Sequence, residues 1–140
     1  MKIYDVIIVG GGAAGCVAAG YAAQNGKSVL ILERNQRPAR KILVTGKGRC
    51  NVTNNCDPDT LMQNIPRNPR FLYSAFSRCT PADVMAFFED AGVPLKTERG
   101  RRVFPQSDKA ADIVQALRSE MQNANVRICE NSRVTKLLIS

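Results

Sequence analysis

The stretch IYDVIIVGGGAAGCVAAGYAAQNGKSVLILE, residues 3–33, decides the fold of this chain. An apolar run at residues 6–9 precedes three glycines, a pattern that predicts a buried strand and a tight turn. A helix is expected next, ending at Asn25-Gly26. A second apolar run, at residues 29–32, ends on Glu33. This order is that of a dinucleotide-binding βαβ unit. The apolar spacing predicts a buried helix face made of Ala14, Val17, Ala18, Tyr21 and Ala22.

Each glycine of that unit, and its acid, has a physical role. Gly10 permits the sharp turn after the strand, and Gly12 lets a pyrophosphate approach the N–H groups at the helix N-terminus. Gly15 lets the helix pack closely against the sheet. The Glu33 carboxylate can accept hydrogen bonds from ribose hydroxyls, and its charge disfavours NADP at this site. A glycine motif alone also occurs in other α/β domains, so the flanking strands, the helix and the acid are what favour dinucleotide binding.

The length of 140 residues predicts one domain with a core of its own. Hydrophobic residues make up 44% and charged residues 23% of the chain, as in soluble globular proteins. The sequence has no apolar run long enough to span a bilayer. Asp5 and the glycines that follow argue against a signal peptide. We therefore expect a cytoplasmic protein without a membrane partner.

Cysteine and histidine usage limits the chemistry further. The five cysteines are an odd number at irregular spacings, and there is no histidine. Zinc-type sites and His-based triads are therefore not expected, and no metal is predicted. The thiols suit a reducing compartment. Cys16 and Cys129 lie in apolar patterns and are interpreted as core residues.

The net charge of +8 is compatible with nucleic acid or with an anionic cofactor or substrate. The positive residues are concentrated in loops, with a first cluster at residues 34–49 and a second at residues 99–102. No aromatic residue is interleaved through the first cluster, so a base-stacking platform is not indicated there. We expect a small-molecule substrate rather than a nucleic acid partner.

The rest of the chain completes a small sheet. A long loop follows Glu33, with short helical pieces broken at Pro66 and Pro69. Thr80 is expected to cap a helix that ends near Gly92, and two extended pieces meet at Gly100. The next helix should bury Ala110, Ile113, Val114, Leu117 and Met121. Strands are expected at residues 126–129 and 134–139. The predicted fold class is α/β: a Rossmann-like domain with a small parallel sheet, built from the βαβ start, a long loop and a helical crossover to the third strand.

The chain stops at an apolar run, residues 137–139, within or at the end of the last expected strand. We expect a truncated FAD-binding domain that covers residues 1–140 and lacks its C-terminal half and a substrate domain. Such a piece is expected to be inactive alone. Self-association through the cut edge of the sheet is also expected.

A second motif, KILVTGKGRCNVTN, occupies residues 41–54. Gly46 and Gly48 allow the backbone to approach a ligand, while Lys41 and Arg49 can face phosphate or an electron-rich ring. A basic surface loop explains the same spacing equally well.

Together with the βαβ unit and the segment GRRVFP at residues 100–105, this motif resembles one family. It is the bacterial BaiN-like, or aminoacetone-oxidase-like, family of NAD(P)/FAD-dependent oxidoreductases. The resemblance covers Tyr4 to Leu137, and GRCNVTN is its most specific element. The glycine motif alone is shared by many flavoproteins.

The resemblance implies FAD as cofactor and NAD(P)H as a candidate electron donor. It implies that the ribose is held by Glu33, with Arg34 beside it, and that the backbone at Val134 holds the adenine. The residues implied to hold the ADP half are Gly10, Gly12, Ala13, Ala14 and Gly15. Those implied to lie along the pyrophosphate and flavin end are Lys41, Gly48, Arg49, Cys50 and Asn51. Family members are longer and continue into a substrate domain.

Three alternatives stay open. Cys50 and Cys56 follow the βαβ unit, as the cysteine pair of a flavin disulfide reductase does, although CNVTNNC is one residue longer than the usual spacing. The glycine-rich start is also similar to a flavoprotein family that modifies tRNA, from which GRCNVTN points away. The chain is thirdly compatible with a non-catalytic nucleotide-binding fragment.

Overall fold

The computed structural model describes residues 2–139. The chain divides into two compact units, Met1–Leu43 with Val114–Ser140, and Val44–Ile113. Each unit is built around a three-stranded sheet of its own. The strands are β1 (Val6–Val9), β2 (Val29–Leu32), β3 (Thr53–Asn54), β4 (Leu95–Glu98), β5 (Arg102–Pro105) and β6 (Arg127–Cys129). The α-helices are α1 (Ala13–Gln24), α2 (Pro58–Gln63), α3 (Tyr73–Phe76), α4 (Pro81–Asp90) and α5 (Ala110–Asn123).

The first unit contains the predicted parallel sheet, in the order β1-β2-β6. Val9 pairs with Leu32, and Leu32 pairs with Cys129. The ladder continues one residue further on each side, because the Gly10 N–H donates to Leu32 O at 2.9 Å and the Glu33 N–H donates to Cys129 O at 2.9 Å. The glycine turn and Glu33 therefore leave the sheet at the same carboxyl edge, where ligands of open α/β sheets bind.

The predicted buried face of α1 is wrong. Cys16 and Ala19 are the buried residues of this helix. Val17 and Tyr21 are exposed to 54% and 69%, Ala14 and Ala18 are also exposed, and only Ala22 is half-buried. Because nearly every position of α1 is apolar, the spacing of apolar residues does not select a face. The close packing of Gly15 against the Gly10 carbonyl determines which face of α1 is buried. The small side chains of Cys16 and Ala19 therefore point inward.

The last helix and the last strand predicted from the sequence have different outcomes. All five residues predicted for the core face of α5 are buried. The strand expected at residues 134–139 is wrong, because residues 133–139 form no regular structure. Leu137, Leu138 and Ile139 are at least 75% exposed, and they pair with no strand of the described chain.

The second unit contains an antiparallel sheet in the order β3-β5-β4. The predicted cap of α4 is confirmed: Thr80 Oγ1 accepts from the Asp83 N–H at 3.2 Å, and Asp83 Oδ2 accepts from the Thr80 N–H at 2.7 Å. The expected short helical pieces are α2, α3 and the 3₁₀ turn Pro69–Leu72. The short strand β3 was not predicted. Within residues 2–139, no helix has the length and apolarity needed to cross a membrane.

Candidate dinucleotide-binding site

The glycine turn of the first unit has the backbone that its sequence predicts. Gly10 adopts φ +97°, in the region that disfavours residues with a side chain. Gly12 is the N-cap of α1, with φ −74°, and no side chain caps the helix there. The first turn of α1 carries no acidic residue. No acidic residue of α1 itself therefore offsets the partial positive charge of this helix end.

The glycines of the turn have different surroundings. A Cβ placed on Gly15 would collide with the carbonyl oxygen of Gly10 and lie 3.3 Å from Ile8 Cγ2, so Gly15 is required for the helix to pack against the turn. A Cβ on Gly12 would meet nothing within 4 Å. The turn is thus closely packed on the Gly15 side and open on the Gly12 side.

Glu33 is the buried charged residue of the first unit, with 5% of its surface exposed. Its Oε2 accepts from the Gly11 N–H at 2.8 Å. Its Oε1 accepts from the Asn35 N–H at 2.7 Å and from Asn35 Nδ2 at 2.6 Å. The carboxylate is therefore fixed against the glycine turn, where the sequence predicted the ribose of a dinucleotide.

The same contacts determine the charge state of Glu33. Burial on its own raises the pKa of this carboxyl. The hydrogen bonds from the Asn35 and Gly11 N–H groups, and from the Asn35 side chain, outweigh burial and hold the pKa of Glu33 below its usual value of 4.5. Glu33 is ionised at neutral pH and can accept further hydrogen bonds from a hydroxyl-bearing ligand.

A polar cleft of about 460 Å³ lies beside Glu33 in the first unit. Asn35 organises it: its Oδ1 accepts from Arg40 Nη1 at 3.2 Å, and its carbonyl oxygen accepts from the Asn131 N–H at 2.9 Å. Sequence reasoning missed Asn35, although a polar residue just after the acid was the available signal. The lining residues are Arg34, Asn35, Gln36, Arg37, Arg40 and Asn131.

The other site residues predicted for the first unit lie near this edge or on its helix. Ala13 and Ala14 are exposed in the first turn of α1. Val134 is half-buried, two residues after Ser132, whose N–H donates to Glu33 O at 2.8 Å. Lys41 is exposed in the 3₁₀ segment Arg40–Gly48. The structure thus places Gly10, Gly12, Glu33, Arg34 and Val134 around the ends of neighbouring strands.

The remaining predicted residues, at positions 48–51, belong to the second unit. There Arg49 makes contacts that the sequence did not predict. Its Nη2 lies 2.7 Å from Glu98 Oε1, and its Nε lies 2.9 Å from Asp108 Oδ1. Its guanidinium also stacks over the Phe104 ring, 4.0 Å from the ring centre. Lys96 Nζ shares both carboxylates, at 3.5 Å from Glu98 Oε1 and 2.7 Å from Asp108 Oδ2. The positive charge of Arg49 is therefore balanced within a cluster of two cations and two anions.

The backbone around Arg49 is unusual. Gly48 adopts φ +84°, and Cys50 adopts φ +61°, which is uncommon for a residue with a side chain. With its amide oriented so that nitrogen is the donor, the Asn51 side chain donates to Thr53 O at 2.9 Å and to Val103 O at 3.2 Å. The Asn51 side chain therefore supports β3 and β5. The predicted flavin-side role of residues 48–51 stays a prediction.

The two cysteines of the proposed redox pair have different surroundings, and both are free thiols. Cys50 is 6% exposed, and burial raises the pKa of its thiol despite a hydrogen bond with Thr45. Cys56 is half-buried and lines a cleft of about 370 Å³. A reactive cysteine needs an accessible thiol of lowered pKa. Cys50 has the opposite properties, which disfavours the disulfide reductase alternative.

Comparison with known proteins finds relatives over most of this chain. The model of the family described as "HI0933-like protein Rossmann domain" matches residues 4–140. The chain is 35% identical to the 3-dehydro-bile acid delta(4,6)-reductase of Clostridium scindens over 135 residues, which are 95% of this chain and 32% of that protein. It is also 35% identical to the ribosomal RNA dihydrouridine synthase of Escherichia coli, over 96% of this chain and 33% of that protein.

Among solved structures, the 3-ketosteroid-delta4-(5alpha)-dehydrogenase of Rhodococcus jostii shares the fold with a TM-score of 0.71 at 17% identity. That match covers 96% of this chain and 39% of that chain. The predicted fold class is confirmed: this is a Rossmann-like α/β fold of the kind found in FAD-dependent oxidoreductases. The chain spans about a third of the length of the curated relatives it matches.

Proposed function

Because the chain belongs to the family of HI0933-like protein Rossmann domains, we propose that it supplies the FAD-binding part of a flavin-dependent oxidoreductase. The observation that carries this proposal is the 2.8 Å hydrogen bond between Glu33 Oε2 and the Gly11 N–H. It fixes an ionised carboxylate beside an open helix N-terminus. A diphosphate and a ribose are the ligand groups that match these two features.

The residues of the first unit have complementary roles in this proposal. The N-terminus of α1, beginning at Gly12, is assigned to the pyrophosphate, because the Gly10 and Gly11 N–H groups already donate within the protein. Gly12 leaves the room that the phosphates need. Glu33 accepts from the ribose hydroxyls, and Arg34 lies beside it. The backbone at Val134 is assigned to the adenine. Lys41 is assigned to the flavin end in preference to Arg49, because two carboxylates already neutralise Arg49.

FAD, when bound, supplies two-electron hydride chemistry, with NAD(P)H as the proposed electron donor. The two curated relatives have names that both describe the saturation of a carbon–carbon double bond, once in a bile acid and once in a uridine of ribosomal RNA. We assign this reaction class to the full-length protein: hydride adds to one carbon and a proton to the other, while NAD(P)H is oxidised. The relationship to BaiN-like enzymes is part of the same proposal.

The names of the two relatives describe different substrates, so they do not identify the substrate of this protein. We propose that the 140 residues alone bind FAD without turnover, since they span about a third of the relatives. A cytoplasmic location is proposed as well, because the free cysteines suit a reducing compartment.

Binding of FAD to the purified chain, followed by quenching of flavin fluorescence, tests the proposal. The variant Gly12→Ala should lower FAD affinity about ten-fold or more, because its methyl group would occupy the position of a phosphate. Its thermal unfolding should change little, because no protein atom lies within 4 Å of the added Cβ.

Gly20→Ala is the matched control, since Gly20 lies in the same helix and its Cβ would also meet nothing within 4 Å. FAD affinity should be unchanged in this variant. Unchanged affinity in Gly12→Ala, or a folded chain that fails to bind added FAD, would contradict the proposal.

A further inference from the structure

The segment GRRVFP, residues 100–105, has two parts with different surroundings. Val103, Phe104 and Pro105 are buried in β5. Gly100 and Arg101 are exposed and lie in the 3₁₀ turn that precedes this strand. Packing explains the apolar part of the segment. It does not explain the glycine and the arginine, and the function proposed above uses neither of them.

Gly100 and Arg101 line the cleft of about 370 Å³ in the second unit. The other lining residues come from the end of β3 and from α2 with its flanking residues: Asn54, Cys56, Thr60, Leu61 and Asn64. This set of seven residues is called the Arg101 cleft below. Its volume is in the range of small-molecule sites.

The two parts of the chain that form the Arg101 cleft are held by hydrogen bonds. The Asn55 N–H donates to Arg101 O at 2.7 Å, next to the antiparallel pairing of β3 with β5. On the other part, Asp57 caps α2 by accepting from the Thr60 N–H at 2.8 Å. The cleft is therefore built into the fold of the second unit.

Arg101 is the charged residue among the seven that line the cleft. Within residues 2–139, its guanidinium takes part in no ion pair. Two carboxylates follow Cys56 in the sequence, those of Asp57 and Asp59, and neither residue lines the cleft. Both oxygens of Asp57 already accept from Thr60. The lining thus presents a cation that no acidic lining residue balances, which suits an anionic ligand.

The backbone gives a second reason to look for a ligand of Arg101. This residue adopts φ +58°, in the left-handed region that is uncommon for residues with a side chain. Such a conformation costs free energy, and it is often found where the side chain serves a function. Arg101 makes no ion pair that would offset this cost, so we expect its side chain to act on a ligand.

We propose that the Arg101 cleft binds a small organic acid through its carboxylate. A planar guanidinium matches the two oxygens of a carboxylate, and the Asn54 amide is a neutral donor in the same lining. Leu61 offers an apolar contact for the carbon part of the ligand. The single charge of Arg101 balances one carboxylate, whereas a phosphate dianion would keep part of its charge unbalanced. The inference goes beyond the proposed function and does not rest on it, because no lining residue is assigned to FAD.

Cys56 provides a reporter inside the cleft. Its thiolate displaces iodide either from iodoacetate, which carries a carboxylate, or from iodoacetamide, which is neutral and similar in size. If Arg101 attracts the carboxylate, the ratio of the iodoacetate rate to the iodoacetamide rate should be about three-fold higher at Cys56 than at Cys79. Cys79 is exposed and directly follows Arg78, so a cation that is merely adjacent in sequence is present there too. Peptide mass spectrometry assigns the modified cysteine.

Variants of the turn test whether Arg101 causes this preference. Arg101→Gln should lower the ratio at Cys56 to that at Cys79. The ratio cancels any change in the thiolate fraction, because both reagents react with the thiolate. Arg99→Gln is the matched control, since Arg99 is an exposed arginine of the same 3₁₀ turn that does not line the cleft. It should keep the ratio of the unmodified chain. The buried Cys50 should stay unreacted in every folded variant.

Competition at constant ionic strength tests the ligand class. Butyrate should protect Cys56 from iodoacetamide better than inorganic phosphate does, and Arg101→Gln should abolish this protection. Equal ratios at Cys56 and Cys79, or a preference that survives Arg101→Gln, would overturn the inference. Stronger protection by phosphate would reject the carboxylate assignment. FAD binding should be unchanged in Arg101→Gln, and its loss in a folded variant would place Arg101 in the cofactor site and reject a separate cleft.

Discussion

Two glycine-rich loops of this protein were assigned to the same cofactor from the sequence, and the structure gives them different surroundings. The turn at residues 10–15 of the first unit is open at Gly12, and Glu33 is fixed against it. The loop at residues 45–51 of the second unit carries Arg49, whose guanidinium is held by Glu98, Asp108 and the Phe104 ring.

The difference shows that residue type and spacing do not decide whether a charged group is available to a ligand. The other groups that it contacts within the protein decide this. The bonds of Glu33 go to backbone and amide donors that leave its charge in place, whereas the bonds of Arg49 go to carboxylates that cancel it. A basic loop is therefore weaker evidence for an anion site than an acid fixed beside a helix N-terminus.

The largest effect is expected where the first loop is most closely packed. Gly15→Ala should destabilise the chain by about 3 kcal/mol, because its methyl group would collide with the Gly10 carbonyl and displace α1. Gly20→Ala should instead stabilise it by up to about 1 kcal/mol, since an open helical glycine is replaced by a better helix former. Urea unfolding measures both. Similar stabilities for the two variants would contradict the close packing at Gly15.

The second prediction uses the buried acid of the first loop. Glu33→Gln should cost about 2 kcal/mol at neutral pH, because charge-assisted hydrogen bonds become weaker neutral ones. Since folding lowers the pKa of Glu33, its contribution is complete above about pH 4.5, the unfolded value, and is lost as the pH falls through the folded value. Urea unfolding at several pH values should show the two proteins converging below pH 4.5. A constant gap in acid would show that Glu33 acts through shape alone.

The smallest effect concerns the second loop. Arg49→Gln should destabilise the chain by about 1 kcal/mol, mainly through loss of stacking on the buried Phe104 ring. High salt should narrow the difference, because the ion pairs are partly exposed. Arg99→Gln, an exposed arginine of the same unit, is the control and should be neutral. An Arg49 variant as stable as the control would leave the guanidinium free for a ligand and remove the contrast between the two loops.

Local patterns predicted the parts of the fold that depend on local interactions. The strand β1, the turn and the buried face of α5 follow from apolar spacing and glycines within a few residues of one another. Glu33 follows from its place directly after the apolar run of β2. The buried face of α1 did not follow, because a uniformly apolar helix gives no contrast between its sides.

The second loop was unpredictable for a different reason. Arg49 meets Glu98 and Asp108 across 49 and 59 residues of sequence, and no local pattern encodes such pairs. The exposure of Phe71 and Tyr73 could not be predicted either, since aromatic residues in a helical segment are usually expected to face a core. Long-range packing determines which of these groups remain available.

Asn35 connects three segments of the first unit: its side chain contacts Glu33 and Arg40, and its carbonyl oxygen accepts from the Asn131 N–H. A ligand bound to the Glu33 carboxylate therefore restrains Asn35, whose side chain and backbone carbonyl hold the other two segments. Slower amide hydrogen exchange at Asn131 is then expected on ligand binding, and this backbone position reports occupancy of the nucleotide site.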